Sequence, residues 1–223
     1  MLSPIYPADA APDAEAEEAG RLLFAAPCNF VAGATIETAL PPDTLPEIAF
    51  AGRSNVGKSS LVNALTGQSA LARVSRSPGR TRQINFFDLG GRLMLVDLPG
   101  YGFAEAPKSE IKRWTGLIER YLKGRVSLRR VLVLIDARFG IKEADRPVLK
   151  QLDKAAVSYQ IVLTKADQVK PAQLDALLPR LAETLSKHPA AHPVIHITSA
   201  HEAVGIAALR AAIATLAEPK PKR

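Results

Sequence analysis

Long apolar runs are missing from this sequence. None reaches the roughly 18 residues that a membrane-spanning helix needs, although at 47% hydrophobic the chain can bury a core. Cysteine is nearly missing too. With Cys28 alone, no internal disulfide framework can form, and the usage suits a reducing compartment. Positive charge is missing from the first 20 residues, which carry five acids (Asp9, Asp13, Glu15, Glu17, Glu18) and no Lys or Arg. A secretory leader needs a basic start before an apolar stretch, so secretion is not expected and a cytoplasmic location is. No metal-ligand spacing is evident either. His188, His192, His196 and His201 fall close together, but Pro189 and Pro193 break any helix there and His196 has no second ligand beside it. They read as loop and sheet residues.

What is present is basic charge. The chain carries a net +7 with a pI near 9.7. Beyond residue 20, 29 basic groups face 17 acidic ones. A polyanion such as RNA or a ribonucleoprotein is a candidate partner, bound less well as salt rises. A basic surface that meets only solvent is the alternative.

The length of 223 residues fits one domain with short appendages. The Ala-, Pro- and acid-rich start has little to bury and reads as a disordered arm. Residues 24–45, interrupted by Pro41 and Pro42, read as an irregular lead-in. Strand-like runs follow at 48–52, 83–89, 92–97, 131–136, 160–164 and 194–198, the second and third joined by Gly90-Gly91, a hairpin signal. Helical stretches are expected at 58–65, 144–156, 171–187 and 206–216. Ile111, Trp114, Ile118 and Tyr121 recur at helical spacing and read as a core stripe. Alternating strands and helices call for an α/β fold. The expectation is a mostly parallel six-stranded sheet with one antiparallel edge strand and helices on both faces. Residues 1–23 would be the acidic arm, 24–217 the domain and 218–223 a basic tail.

In such sheets ligands sit at the carboxyl ends of strands, and three motifs fall there. The run Gly52, Arg53, Ser54, Asn55, Val56, Gly57, Lys58, Ser59 matches G-x-x-x-x-G-K-[ST]. Its glycines let backbone N–H groups turn inward around phosphates, and the following helix presents its positive end to the same charge. Lys58 can reach the outer phosphates and the Ser59 hydroxyl can ligand Mg²⁺. Asp97, Leu98, Pro99 and Gly100 end the next apolar strand. That carboxylate can hold Mg²⁺ through a water, and the Gly100 amide can sense a γ-phosphate. Thr164, Lys165, Ala166 and Asp167 close a later strand. Asp167 offers two in-plane acceptors that match the N1–H and 2-amino donors of guanine and nothing on adenine, and Lys165 can lay its stem over the ring. Thr198, Ser199 and Ala200 end the next strand, where backbone N–H groups can meet the guanine O6.

In this order and spacing the motifs resemble the translation-factor-related class of P-loop GTPases, and most closely the EngB/YsxC family of bacterial GTPases that assist assembly of the large ribosomal subunit. The resemblance covers residues 24–217 and rests on the segments 45–60, 78–87, 97–103 and 164–167. It implies one GTPase domain that binds GTP or GDP with Mg²⁺, hydrolyses GTP slowly, and acts as a monomer on a large-subunit precursor of rRNA and ribosomal proteins. Growth, cell division and septation would depend on that role. It also implies that Thr81 completes the Mg²⁺ shell with Ser59, and that Gly79, Arg80, Thr81, Arg82 and Gln83 contact nucleotide. Arg73, Arg76, Arg80 and Arg82 crowd that loop, and a γ-phosphate with Mg²⁺ can order it.

Two departures stand out. Thr164 takes the place of the general GTPase asparagine, as it does across the family. Tyr101 follows Gly100, where Ras-like proteins carry a water-orienting Gln, so slow intrinsic hydrolysis is expected. Asn55 stands where potassium-stimulated relatives carry an ion-ligating asparagine, which makes K⁺ a candidate at the β–γ bridge and Asn55 a candidate catalytic residue beside Lys58. The basic stretch of Lys108, Lys112, Arg113, Arg120, Lys123, Arg125, Arg129 and Arg130 is either a solvated face or an RNA-facing one. Two other readings stay open: a nucleotide-gated binding module with negligible turnover, and a P-loop nucleotide kinase, against which the 164–167 motif argues.

Overall fold

The computed structural model describes residues 12–68, 71, 83–101 and 108–219, with 108–115 by backbone only. Strands β1 (Cys28–Ala34), β2 (Glu47–Gly52), β3 (Ile84–Leu89), β4 (Leu93–Asp97), β5 (Leu128–Asp136), β6 (Tyr159–Thr164) and β7 (His196–Ile197) form one sheet in the order β1-β3-β4-β2-β5-β6-β7. The helices are α1 (Ala14–Phe24), α2 (Lys58–Thr66), α3 (Lys108–Gly124), α4 (Arg146–Lys154), α5 (Pro171–Leu185) and α6 (Ile206–Ala214).

The central strands are apolar without alternation because helices cover both faces. On one face Ala49, Val131, Val133, Ile161 and Leu163 meet Leu117 and Tyr121 of α3, Leu149 and Leu152 of α4, and Leu178 and Leu181 of α5. On the other, Ile48, Phe50, Leu132, Leu134 and Val162 meet Leu23 and Phe24 of α1, Leu61 and Leu65 of α2, and Leu209 and Ile213 of α6. The glycine hairpin forms as its residues require. Gly90 and Gly91 have φ of 61° and 66°, the left-handed pair of a type I′ turn, and the Asp88 carboxylate accepts from the Gly91 N–H at 2.8 Å.

Two expectations need correcting. The sheet has seven strands, with two antiparallel pairings, β1–β3 and β3–β4. The seventh, β1, lies in the stretch read as an irregular lead-in. It is an edge strand whose register shifts between Phe30 and Ala32. Such a bulge breaks the two-residue period by which a strand is read from sequence. β3 is therefore a reversed strand inside the sheet rather than its edge.

The acidic start also contains more order than its composition suggests. From Ala14 it is the helix α1, whose N-cap Asp13 accepts from the Ala16 N–H at 2.7 Å, with acids in the first turn and Arg21 in the last. A helix needs one apolar face, and Leu23 and Phe24 supply it. At Gly20 the helix lies so close to α6 that an added Cβ would stand 2.6 Å from the Ala211 nitrogen. Within the expected basic tail, the Glu218 N–H donates to the Arg92 carbonyl at 2.9 Å.

Candidate functional site

The loop of residues 53–57 joins β2 to α2 at the carboxyl edge of the sheet. Asn55 (φ 61°) and Gly57 (φ 103°) are left-handed, so the chain folds back and hands the N-terminus of α2 to the loop's concave side. A Cβ on Gly52 would meet Val56 Cγ1 at 2.8 Å, which is why that position is glycine. The amides of the first turn of α2 have no intrahelical acceptors and carry the positive end of the helix dipole.

The Asp97 carboxylate sits at the end of β4, beside Phe50 of β2, and forms a direct, largely buried ion pair with Lys58. A phosphate and a metal ion must each compete with that pair for its partner. After Asp97 the chain runs along the loop: the Tyr101 N–H donates to the Gly52 carbonyl and the Ser54 N–H to the Tyr101 carbonyl, both at 3.2 Å. Gly100 lies against Ser54, where a Cβ would stand 3.0 Å from the hydroxyl. The Tyr101 phenol donates to Asp145 Oδ1 at 2.9 Å. Burial and the adjacent carboxylate push that phenol far above its ordinary range.

The third motif reaches back to the first. The buried Thr164 hydroxyl donates to the Val56 carbonyl at 2.6 Å, so the threonine in place of asparagine tethers the base loop to the phosphate loop. Lys165 (φ 57°) carries its stem across Gly57, with Cε 3.7 Å from where a Cβ would stand. Its ammonium donates to the Asn55 carbonyl at 2.7 Å and pairs with Asp136 at 3.1 Å. Burial works against the Asp136 charge, but hydrogen bonds from Arg138 and Lys165 outweigh it and lower that carboxyl to about 2. The Ala166 N–H donates to the Thr198 carbonyl at 3.1 Å, drawing residues 198–200 alongside. Gly205 (φ 69°) closes that loop where a Cβ would lie 2.0 Å from the Ile197 carbonyl oxygen. A cavity of about 190 Å³ opens here, lined by Gly57, Ser60, Thr164, Lys165, Asp167, Thr198 and Ala200 among others.

The structure thus gathers the 52–59, 97–100, 164–167 and 198–200 motifs at one edge of the sheet. Gly79, Arg80, Thr81 and Arg82 lie outside the described residues. The Gln83 side chain donates to Asn85 at 2.9 Å and packs on Gly33 of β1. Sequence reasoning missed Asp136, Arg138 and Asp145. Asp136 ends a buried strand at the carboxyl edge, a signal that could have found it. Asp145 is recognisable only through its tertiary contact.

β7 leads directly into the 198–200 loop, and its His196 is buried. Burial, then His192 and Arg130, lower its pKa from the ordinary 6.5 to about 4. Between those values the unfolded chain binds a proton that the native one refuses, so stability falls as pH drops from 6.5 towards 4. The full effect is about 3 kcal/mol. Urea midpoints at pH 7 and pH 4.5 should differ less in His196→Gln than in the unaltered chain; an equal difference would show that His196 is not responsible.

A family model described as a 50S ribosome-binding GTPase matches residues 47–165. A probable GTP-binding protein EngB of Cereibacter sphaeroides is 54% identical over 97% of this chain and 100% of its own length. The counterpart from Rhodospirillum rubrum is 59% identical over 92% of this chain and 91% of its own. Among solved structures, a probable GTP-binding protein EngB superposes with a TM-score of 0.61 at 26% identity, over 76% of this chain and 97% of that one. With the phosphate, carboxylate and base motifs gathered on one strand edge, the chain belongs to the EngB family of P-loop GTP-binding proteins.

Proposed function

We propose that this chain is a Mg²⁺-dependent GTPase whose GTP and GDP forms present different loops, around residues 70–83 and 99–107, to a precursor of the large ribosomal subunit. The observation that supports it best is the junction of the three motifs through Lys58–Asp97 and Thr164–Val56. The amides of residues 53–59 and the Lys58 ammonium take the phosphates, and Lys58 stabilises the charge that develops on transfer. Asp167 accepts from guanine N1–H and the 2-amino group, while N–H groups of residues 198–200 face O6.

Ser59 and Asp97 form an oxygen-only donor set that suits Mg²⁺. Ser59 and Thr81 would hold the ion directly and Asp97 through a water. When bound, Mg²⁺ neutralises charge on the β- and γ-phosphate oxygens. Gly79, Arg80, Arg82 and Gln83 would join the nucleotide as well. A K⁺ ion beside Asn55 would add a further charge at the β–γ bridge. A ribosomal partner supports a cytoplasmic location, with the protein acting as a monomer. Among the described residues no helix is long and apolar enough to cross a membrane.

The Tyr101 hydroxyl is held by Asp145, so it does not orient water, and hydrolysis without a partner is slow. The same bond favours the second reading, a nucleotide-gated binding module with negligible turnover. Turnover of GTP and ATP, measured with Mg²⁺ in KCl and in NaCl with and without large-subunit precursor particles, separates them. The expected result is turnover of GTP alone, raised by the particles and faster in KCl. Absence of turnover under every condition, with particle binding that still needs GTP, would establish the module instead. Equal rates in the two salts would remove K⁺.

A further inference from the structure

In the basic stretch of residues 108–130, several of the described side chains are already paired. Arg120 pairs with Glu37 at 2.9 Å, Lys123 with Glu119 at 2.7 Å, and Arg125 with the buried Glu47 at 2.6 Å, while Arg130 is turned inward onto Gln160. On a different surface the cations outnumber the acids. Between β5 and α4, Phe139 is 54% exposed, with the Lys142 ammonium 3.9 Å and the Arg138 guanidinium 5.0 Å from its ring centre. The other exposed phenylalanine among the described residues, Phe30, stands edge-on to Phe87 with its ring centre 5.7 Å away and has no such cations.

Phe139 borders a cavity of about 210 Å³ on the β5 side of the phosphate loop, lined by Arg53, Arg138, Lys142 and Lys165 and by only two acids, Asp136 and Asp145. Both acids are satisfied internally. Asp136 is held by Arg138 and Lys165, and Asp145 accepts from the Tyr101 hydroxyl and from the Lys142 N–H. Neither is left to repel an anion. Among the described residues the Lys142 ammonium has no carboxylate partner and the buried Arg53 Nε no hydrogen-bond partner.

We infer that the loop of residues 138–142 is a docking surface for single-stranded RNA, with a base against the Phe139 ring and the adjoining phosphate at Lys142. An exposed aromatic with cations beside it is a recurring platform for an unpaired base and its backbone. The exposed ring gives an unpaired base a face that a bare cluster of cations would not, and the chain as a whole carries +7, which suits a polyanion. The surface is also joined to the nucleotide site: Asp145, which anchors Lys142, accepts from Tyr101, the residue after Gly100. RNA held at Phe139 and Lys142 therefore lies two hydrogen bonds, both to Asp145, from Tyr101.

The inference rests on the ribosomal reading above, so the two are tested in order with the full chain and a non-hydrolysable GTP analogue. Sedimentation with purified large ribosomal subunits comes first, then fluorescence anisotropy with a labelled, mixed-sequence single-stranded RNA of about 12 nucleotides. No subunit binding by the unaltered chain would mean that the ribosomal reading itself has failed, and this surface with it. Given binding, Phe139→Ala should weaken both probes by roughly 5- to 100-fold and Phe139→Trp should keep them. Lys142→Ala should reduce the slope of binding against salt by about one. GDP affinity should be unchanged in all three, which shows that the fold is intact. Undiminished subunit binding by Phe139→Ala would overturn the proposal. So would loss of subunit binding with RNA binding intact, since the contact would then be to protein.

Discussion

Asp167→Asn is expected to lower GTP affinity by roughly 10²- to 10⁴-fold while leaving the fold and the phosphate loop untouched. The carboxylate lines the cavity between the 164–167 and 198–200 loops. In the asparagine variant one acceptor becomes an amide donor facing the guanine 2-amino group, so two donors meet and both stay unpaired. Xanthine carries a carbonyl at that position and keeps the N1–H. The variant should therefore bind xanthosine triphosphate better than GTP, a reversal that simple damage to the site cannot produce. Competition against a fluorescent nucleotide measures both. GTP affinity within a few-fold of the unaltered chain would show that Asp167 does not select the base.

The second large effect lies at the other end of β2. Glu47 is 1% exposed, and its carboxylate accepts from the Tyr121 hydroxyl at 2.8 Å and from Arg125 at 2.8 and 2.6 Å. Burial, the Glu47 charge and this hydrogen bond raise the Tyr121 phenol well above its ordinary range. Glu47→Ala would leave a guanidinium that is 9% exposed and a buried hydroxyl with nothing to meet. Breaking a buried pair from one side costs about 3–5 kcal/mol, against a total of about 5–15 kcal/mol for a domain of this kind. Denaturant midpoints should fall accordingly. The combined variant Glu47→Leu, Tyr121→Phe, Arg125→Met should recover most of the loss, because no charge or donor is then stranded. A triple variant as unstable as Glu47→Ala would point to a backbone role for this corner instead.

The sequence revealed the functional motifs more readily than the frame around them. The phosphate, carboxylate and base motifs are chemical patterns fixed at strand ends, so their placement in the alternation of strands and helices was enough. β1 escaped because its bulge at Val31 and its single covered edge remove the alternation by which strands are recognised. α1 was hidden because its start is rich in acids and alanine, and its short apolar face gains meaning only against α6. The departure at Tyr101 was visible, but its destination was not, since Asp145 lies 44 positions away. The partners of Arg120 and Arg125 were hidden for the same reason: pairing with Glu37 and Glu47 is a tertiary fact.

The extra strand has a bearing on how a nucleotide signal travels. β3 is hydrogen-bonded along both edges, and Ile84 and Phe86 pack on one face while Phe87 and Leu89 pack on the other. A slip of one residue would exchange those faces, so β3 cannot shift in small steps. Asn85 of this strand stands opposite Asp97, which ties the same fixed point to the carboxylate of the phosphate site. β3 thus acts as a stop. A rearrangement at the γ-phosphate would meet here a strand that either keeps its register or loses it by a whole residue.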